Sequence, residues 1–228
     1  MNDHGRDLLS VREATERLLN ATAKLDNAAP AGPSRLPGWS RGHVLTHLAR
    51  NADALANALS GRPMYPSPEA RDAAIAAGAD RDLETQITDL RESAARFWEL
   101  CQAPADWSRT VELRNGITDT ASRIPFRRLF EVELHHVDLD IGYELEDLPA
   151  EFTQQEIGFL AARFRRIGEV PRVLIRQEDG RTLTTGRGEE VAATVTGPQA
   201  ELLGWLTGRR PGTALTVSGG ELPALPSL

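Results

Sequence analysis

Apolar residues recur at helical spacing in four long segments of the chain, which predicts four amphipathic helices. The segments are residues 6–26, about 41–59, 82–101 and about 125–143. Ser40 is a good N-cap residue for the second helix, because Pro37 and Gly38 before it favour a turn. Ser67 and Pro68 have the residue types of an N-cap and a first helical turn, so they predict one further, short helix. The first part of the chain is therefore expected to be a helical bundle.

The pattern changes twice outside these helices. Asn115-Gly116 between apolar residues predicts a tight hairpin turn. After Pro149, one helix over about 152–167 is followed by short strand-like runs at 172–176, 182–184 and 191–195. Pro198 then opens another helix, and a last strand is expected at 214–217. We predict a helical bundle over residues 1–148 and a small α+β domain over residues 149–228.

The helix at 125–143 carries ligand-type side chains beside its apolar positions. Glu131, His135 and Asp138 recur at helical spacing next to a stripe of Phe130, Leu134, Val137 and Ile141. A carboxylate and an imidazole four residues apart can bind one metal ion. A hydrogen bond between Glu131 and His135 is the alternative, since either arrangement satisfies polar groups that are costly to bury alone.

The helix at 41–59 has a similar pattern, with His43 and His47 four residues apart. The two imidazoles could bind a metal ion together. They could also be a capping histidine and a buried histidine with a hydrogen-bond partner. On the sequence of this helix alone, both interpretations stay open.

The two helices together predict one site. If they pack as neighbours, His47, Glu131 and His135 converge in the bundle interior, where helical bundles often hold metal ions. Two histidines and one glutamate leave a coordination position open, as catalytic zinc sites require. A thiolate-rich structural zinc site is excluded, because Cys101 is the only cysteine. Zinc suits these ligands, although nickel, cobalt and manganese could bind the same set.

Charge and composition narrow the class of protein. The formal net charge of -7 argues against nucleic-acid and anionic-membrane partners, which favour basic surfaces. No run of about 18 apolar residues predicts a membrane span, and the N-terminus lacks the apolar core of a signal peptide. A single cysteine fits the reducing cytosol. We therefore expect a cytoplasmic protein without a nucleic-acid or membrane partner.

Several motifs in order along the chain resemble one known family, the mycothiol-dependent maleylpyruvate isomerases, within the DinB-like metal-binding bundle superfamily. Gly38-Trp39-Ser40-Arg41 leading to His47, and Glu131-Val132 leading to His135, are motifs of the whole superfamily. The segment Pro63-Met64-Tyr65-Pro66-Ser67-Pro68-Glu69-Ala70-Arg71 is more particular to the isomerases. The tail Ser218-Gly219-Gly220-Glu221-Leu222-Pro223 also matches.

The resemblance implies an α+β protein with an N-terminal DinB-like four-helix bundle that holds a metal site and a small C-terminal α/β domain. It implies the metal ligands His47, Glu131 and His135, with His43 and His136 as neighbours. It also implies an active-site arginine after the helix of the C-terminal domain. Arg209 is the candidate, and Arg210 follows it directly. The family further suggests a monomer that uses zinc and mycothiol.

The implied activity is cis–trans isomerisation of maleylpyruvate to fumarylpyruvate in gentisate-type degradation of aromatic compounds. A zinc-bound mycothiol thiolate would add reversibly to the alkene, and arginines (Arg209 first, with Arg71 and Arg50 behind it) would hold the anionic groups. Asp138 would orient a ligand imidazole or lie on the surface. Two alternatives are a mycothiol S-transferase that acts on another electrophile and a non-catalytic, metal-stabilised protein that binds a small molecule.

Overall fold

The computed structural model describes residues 4–226, and these divide into two compact units between Tyr143 and Glu144. The first unit contains helices α1 (His4–Thr22), α2 (Arg41–Leu59), α3 (Pro68–Ala79), α4 (Leu83–Gln102) and α5 (Ile124–Asp138). It also contains strands β1 (Thr110–Glu112) and β2 (Thr118–Thr120). The domain ranges 1–148 and 149–228 that the sequence suggested stay predictions.

Four of these helices form the predicted bundle. Helix α1 packs against α4 and α5, and α2 packs against the same two helices, so the four enclose one core. Residues at helical spacing supply that core, among them Leu18, Leu48, Leu90 and Leu134, which are completely buried. Helix α3 packs on α2 outside the bundle.

The hairpin β1–β2 forms where Asn115-Gly116 predicted a turn. Its strands are antiparallel, with Val111 opposite Asp119. Asn115 and Gly116 have φ values of 58° and 69°, and the Ile117 amide donates to the Arg114 carbonyl at 3.2 Å. Positive φ at both central residues is the type I′ turn that Asn-Gly favours.

Helix α5 ends five residues before the predicted Tyr143, so that prediction is wrong. Asp140 and Gly142 have φ values of 54° and 89°, which ends regular helix. The free carbonyls at the helix end are bound from elsewhere in the unit. The Arg35 amide donates to the Asp138 carbonyl at 2.8 Å, and Arg41 Nε donates to the Leu139 carbonyl at 2.7 Å. Ile141, predicted as the last residue of the apolar stripe, therefore lies outside the helix.

The second unit combines two helices with a four-stranded sheet. The helices are α6 (Ala150–Phe164) and α7 (Gln199–Leu206), and the strands are β3 (Val173–Arg176), β4 (Thr182–Thr184), β5 (Ala193–Thr196) and β6 (Thr216–Ser218). The strand order is β4-β3-β5-β6, and only the β3–β5 pair is parallel. Val173, Ile175 and Val195 are fully buried, as are Leu160 of α6 and Leu202 of α7. The α+β class expected from the sequence is confirmed.

Candidate metal centre

The two histidines of helix α2 have different surroundings. The Ser40 side chain accepts a hydrogen bond from the His43 amide at 3.3 Å, and His43 Nδ1 accepts one from the Ser40 amide at 3.2 Å. This reciprocal pair is a capping box, so His43 satisfies the helix N-terminus. His47 lies one turn further on and is only 6% exposed. The capping interpretation of His43 is therefore confirmed.

Helix α5 carries Glu131 and His135 to the same place. His47 Nε2 lies 3.0 Å from Glu131 Oε2 and 3.1 Å from His135 Nε2. His135 Nε2 lies 3.2 Å from Glu131 Oε2. Within residues 4–226, these three are the one group of ligand-type side chains whose donor atoms lie close enough to share a metal ion. The predicted convergence of α2 and α5 is thus confirmed.

The triangle of donor atoms has the spacing that the ligands of one metal ion would have. Ligands at about 2.05 Å from a tetrahedral zinc ion lie roughly 3.3 Å apart, close to the three observed distances. His135 Nδ1 lies 2.8 Å from Asp138 Oδ2, and in a neutral ring the proton belongs on that nitrogen. Nε2 of His135 then faces Glu131 with no proton between them. A metal ion would satisfy this pair of acceptors, and a second proton on the His135 ring is the hydrogen-bonded alternative.

Asp138 gives the centre its outer support. Its side chain is completely buried, which excludes the surface alternative. The hydrogen bond with His135 Nδ1 directs the Nε2 lone pair of that ring toward His47 and Glu131. Asp138 lies three residues after His135, so the helical spacing noted in the sequence accounts for this contact.

The charges of the three residues are set by opposing effects. Burial lowers the pKa of His47. Burial also disfavours charge on His135, but hydrogen bonds with Asp138 and Glu131 outweigh it and raise the pKa of His135. Burial would raise the pKa of Glu131, yet hydrogen bonds with both histidines hold it well below its usual range. Glu131 is therefore an anion, which is the state that a metal ligand needs.

Two arginines lie near the centre, and the sequence pointed to only one of them. Arg71 Nη2 lies 3.4 Å from His47 Nδ1. Arg128, which the sequence interpretation missed, is fully buried, and its Nη1 donates to the Leu48 carbonyl and to Asn51 Oδ1 at 2.8 Å each. It ties α5 to α2 one turn beyond the ligands. The sequence offered one indication of this position, because Arg128 lies three residues before Glu131 and therefore on the same side of the helix.

Other candidates have different partners. Arg50 is paired with Asp53 and Asp89 on the bundle, so it acts in packing between α2 and α4. His136 stacks on Tyr143, with ring centroids 4.0 Å apart. In the second unit, Arg209 is half-buried directly after α7, where the sequence placed it. Its active-site role stays a prediction.

Arg210 has a structural role in the second unit. Its guanidinium donates to Glu146 at 2.6 and 2.7 Å and to Glu201 at 2.6 Å. Its side chain also lies over Gly204, where an added Cβ would meet it at 2.9 Å. Arg210 therefore fastens α7 to the segment that begins the unit. No helix in residues 4–226 is long and apolar enough to cross a membrane.

Comparison with known proteins agrees with the geometry. The sequence profile of the mycothiol maleylpyruvate isomerase N-terminal domain matches residues 11–140, and that of the MDMPI C-terminal domain matches residues 147–227. The crystal structure of a mycothiol-dependent maleylpyruvate isomerase superposes with a TM-score of 0.89 and 27% identity, covering 99% of this chain and 97% of that one. The crystal structure of a mutant of such an isomerase superposes with a TM-score of 0.89 and 26% sequence identity, again covering 99% of this chain and 97% of that one. No curated protein matches the sequence significantly. The chain belongs to the mycothiol-dependent maleylpyruvate isomerase family.

Proposed function

We propose that this protein is a mycothiol-dependent cis–trans isomerase that converts maleylpyruvate to fumarylpyruvate. The observation that carries the proposal is the convergence of His47, Glu131 and His135 in a chain that matches the isomerase family over nearly its whole length. Two imidazoles and a carboxylate would bind a divalent metal, and zinc is the ion that we propose. Such an ion, when bound, lowers the pKa of a thiol in its open position.

The protein's own thiol does not compete for this role. Cys101 is buried in α4, and burial raises its pKa to about 12. At neutral pH it is therefore a protonated, inaccessible thiol rather than a nucleophile. An external thiol cofactor is consistent with that arrangement. Addition of its sulfur to the cis double bond makes that bond single, so it can rotate before the sulfur leaves again.

Arg71 is suited to hold a carboxylate of the substrate beside the centre. When His47 uses Nε2 as a metal ligand, its neutral ring carries the proton on Nδ1. Nδ1 then faces Arg71 Nη2 as a second donor, at the 3.4 Å separation of these atoms. A carboxylate oxygen of the substrate would accept hydrogen bonds from both groups, so the two donors would no longer face each other without an acceptor.

We also propose Arg209 as the active-site arginine of the second unit. The family resemblance supports it, because Arg209 stands after helix α7 of the second unit, where the family has its arginine. Arg209→Ala is expected to lower turnover while leaving metal content unchanged. We further propose that the protein is a cytoplasmic monomer serving gentisate-type aromatic degradation, which size-exclusion chromatography and induction by aromatic substrates would test.

The direct test is turnover of maleylpyruvate by the purified, zinc-loaded protein with and without mycothiol, followed by loss of the enol absorbance. We expect conversion only with mycothiol, and none with His47→Ala. His43→Ala is the matched control, because it removes a histidine of the same helix that caps the N-terminus. Absence of conversion by metal-loaded, mycothiol-supplied protein would refute the isomerase. Mycothiol consumption with another electrophile would then indicate an S-transferase.

A further inference from the structure

A cavity lies in the first unit, beside the segment that most resembles the isomerases. Its volume is about 490 Å³, within the range of small-molecule sites. Three pieces of chain enclose it, namely the end of α2, residues 61–68 and the hairpin residues 109–116. The cavity is therefore built by the bundle and the hairpin together, and the three proposed metal ligands do not line it.

The lining combines hydrogen-bond donors with apolar faces. Arg62, Arg109 and Arg114 line it together with a single carboxylate, that of Glu112. Arg109 is anchored because it donates to the Leu59 carbonyl at the end of α2. The excess of guanidinium groups disfavours a cation and suits a ligand that presents many oxygen acceptors.

Tyr65 connects this cavity with the metal centre. It lines the cavity, is half-buried and lies close enough to Arg71 for that guanidinium to lower the pKa of its hydroxyl. Arg71 Nη2 in turn lies 3.4 Å from His47 Nδ1. Burial raises the pKa of Tyr65, so its hydroxyl stays protonated and can both donate and accept. Tyr65 at the cavity and Arg71 beside it therefore lead from the cavity to His47 of the centre.

The size and chemistry of the cavity indicate which of the two reactants, the substrate or mycothiol, it could bind. The substrate is a small diacid whose alkene must meet the sulfur, so it has to bind at the centre. Mycothiol is larger, because its N-acetylcysteine carries a glucosamine ring that is joined to inositol. Hydroxyl groups on both rings are acceptors for arginine, and ring faces pack against aromatic side chains such as Tyr65.

On the basis of the proposed function, we propose that this cavity binds the glucosaminyl-inositol part of mycothiol while its thiol reaches the metal centre past Tyr65. Arg62 and Arg114 would hold the hydroxyl groups, and Tyr65 would pack against a ring. The type I′ turn at Asn115-Gly116 sets the position of Arg114, because it orients the tip of the hairpin at the cavity rim.

The test uses a double variant, Arg62→Ala with Arg114→Ala, in which two exposed side chains are shortened. Arg91→Ala is the control, because it removes an exposed arginine from α4, away from the cavity. Calorimetry measures binding of glucosaminyl-inositol, which has no thiol, to metal-free protein. Steady-state kinetics measures KM for mycothiol and for maleylpyruvate separately. Circular dichroism confirms that each variant is folded.

We expect the double variant to weaken binding of glucosaminyl-inositol and to raise KM for mycothiol, each at least tenfold. KM for maleylpyruvate and kcat should change less than twofold, and Arg91→Ala should resemble the wild type. A rise in KM for maleylpyruvate alone would overturn the proposal and assign the cavity to the substrate. Unchanged KM for mycothiol in an active enzyme would also overturn it.

The two proposals fail in different ways. If the wild-type protein binds glucosaminyl-inositol through Arg62 and Arg114 but does not isomerise maleylpyruvate, the isomerase assignment is refuted and the cavity assignment stands. If it isomerises maleylpyruvate but the double variant leaves mycothiol kinetics intact, only the cavity assignment is refuted. If it neither isomerises maleylpyruvate nor binds glucosaminyl-inositol, both are refuted.

Discussion

Position along a helix decides what each histidine of α2 does. His43 lies in the first turn, where amide groups lack helical acceptors, and its Nδ1 is used there with Ser40. His47 lies one turn later, where its own backbone is satisfied and its ring points into the bundle. The ring edge contacts Trp39, with centroids 5.5 Å apart, which limits rotation of the imidazole.

At the same scale, Asp138 should control metal affinity through His135. Asp138→Asn keeps the shape but replaces the anionic acceptor, so the preferred tautomer and basicity of the His135 ring change. We expect zinc affinity to fall about 10- to 100-fold, as for other outer partners of metal ligands. Competition with a chromophoric chelator measures this.

Asp140→Asn is the matched control for that measurement. Asp140 is exposed and has a φ of 54°, a conformation that asparagine also adopts. Its substitution should leave zinc affinity unchanged. Equal affinity in Asp138→Asn and the wild type would show that the His135–Asp138 hydrogen bond does not support the centre.

Cys101 offers a second prediction for a single residue. Because burial raises its pKa to about 12, the folded protein should react with iodoacetamide far more slowly than the urea-unfolded protein. Cys101→Ala should keep turnover of maleylpyruvate within twofold of the wild type. Loss of turnover in a folded Cys101→Ala protein would contradict the dependence on an external thiol.

At the scale of elements, α5 uses two opposite faces for different purposes. Glu131 and His135 face α2, whereas Glu133 is buried against α1. Glu133 accepts hydrogen bonds from Arg17 of α1 and from Tyr143 Oη, the latter at 3.0 Å. Residues two apart on a helix point about 200° apart, so Glu133 lies on the face opposite Glu131.

The buried carboxyl of Glu133 should make stability depend on pH. Burial raises its pKa in the folded protein, partly offset by Arg17, so the folded state holds this proton more tightly than the unfolded chain does. Its contribution is fully present below the unfolded pKa of about 4.3 and is lost as pH rises through the folded value. The free energy of unfolding of the wild type minus that of Glu133→Gln should therefore decrease from pH 4 to pH 7.

Urea denaturation of metal-free protein at several pH values measures that difference. Glu13→Gln is the control for net charge, because it removes an exposed carboxylate from α1, the helix that carries Arg17. A difference between wild type and Glu133→Gln that increases with pH would contradict the effect of burial and show that Arg17 dominates.

At the scale of the molecule, the metal centre joins α2 and α5 across the bundle. A ligand that binds only the folded state stabilises it by mass action, by about 4 kcal/mol at 1,000 times its dissociation constant. We expect zinc to raise the melting temperature of the wild type, and a chelator to reverse this. His47→Ala should show no such shift and His43→Ala should show the wild-type shift. A zinc shift retained in His47→Ala would place the ion elsewhere.

Local chemistry made much of this structure predictable. The Ser40 and Ser67 caps are present as expected, because capping depends on residues within one turn. The hairpin turn at Asn115-Gly116 depends on two residues alone. The candidate ligands Glu131 and His135 could be recognised as a pair because helical spacing places residues four apart on one face.

Contacts between distant segments were decided only by the tertiary structure. The carbonyls at the end of α5 are bound by Arg35 and Arg41, about a hundred residues away in sequence. The burial of Arg128 likewise depends on Leu48 and Asn51 of α2, which are 80 and 77 residues away in sequence.

The sequence by itself therefore determined the helices, their caps, the hairpin turn and the residue types of the centre, since each depends on neighbours within a few positions. The tertiary structure alone decided that His47 meets Glu131 and His135, that Asp138 is buried, and that Tyr65 lines a cavity and lies close to Arg71. These outcomes depend on which helix faces pack together, and that choice minimises exposed apolar surface over the whole bundle rather than within any one segment.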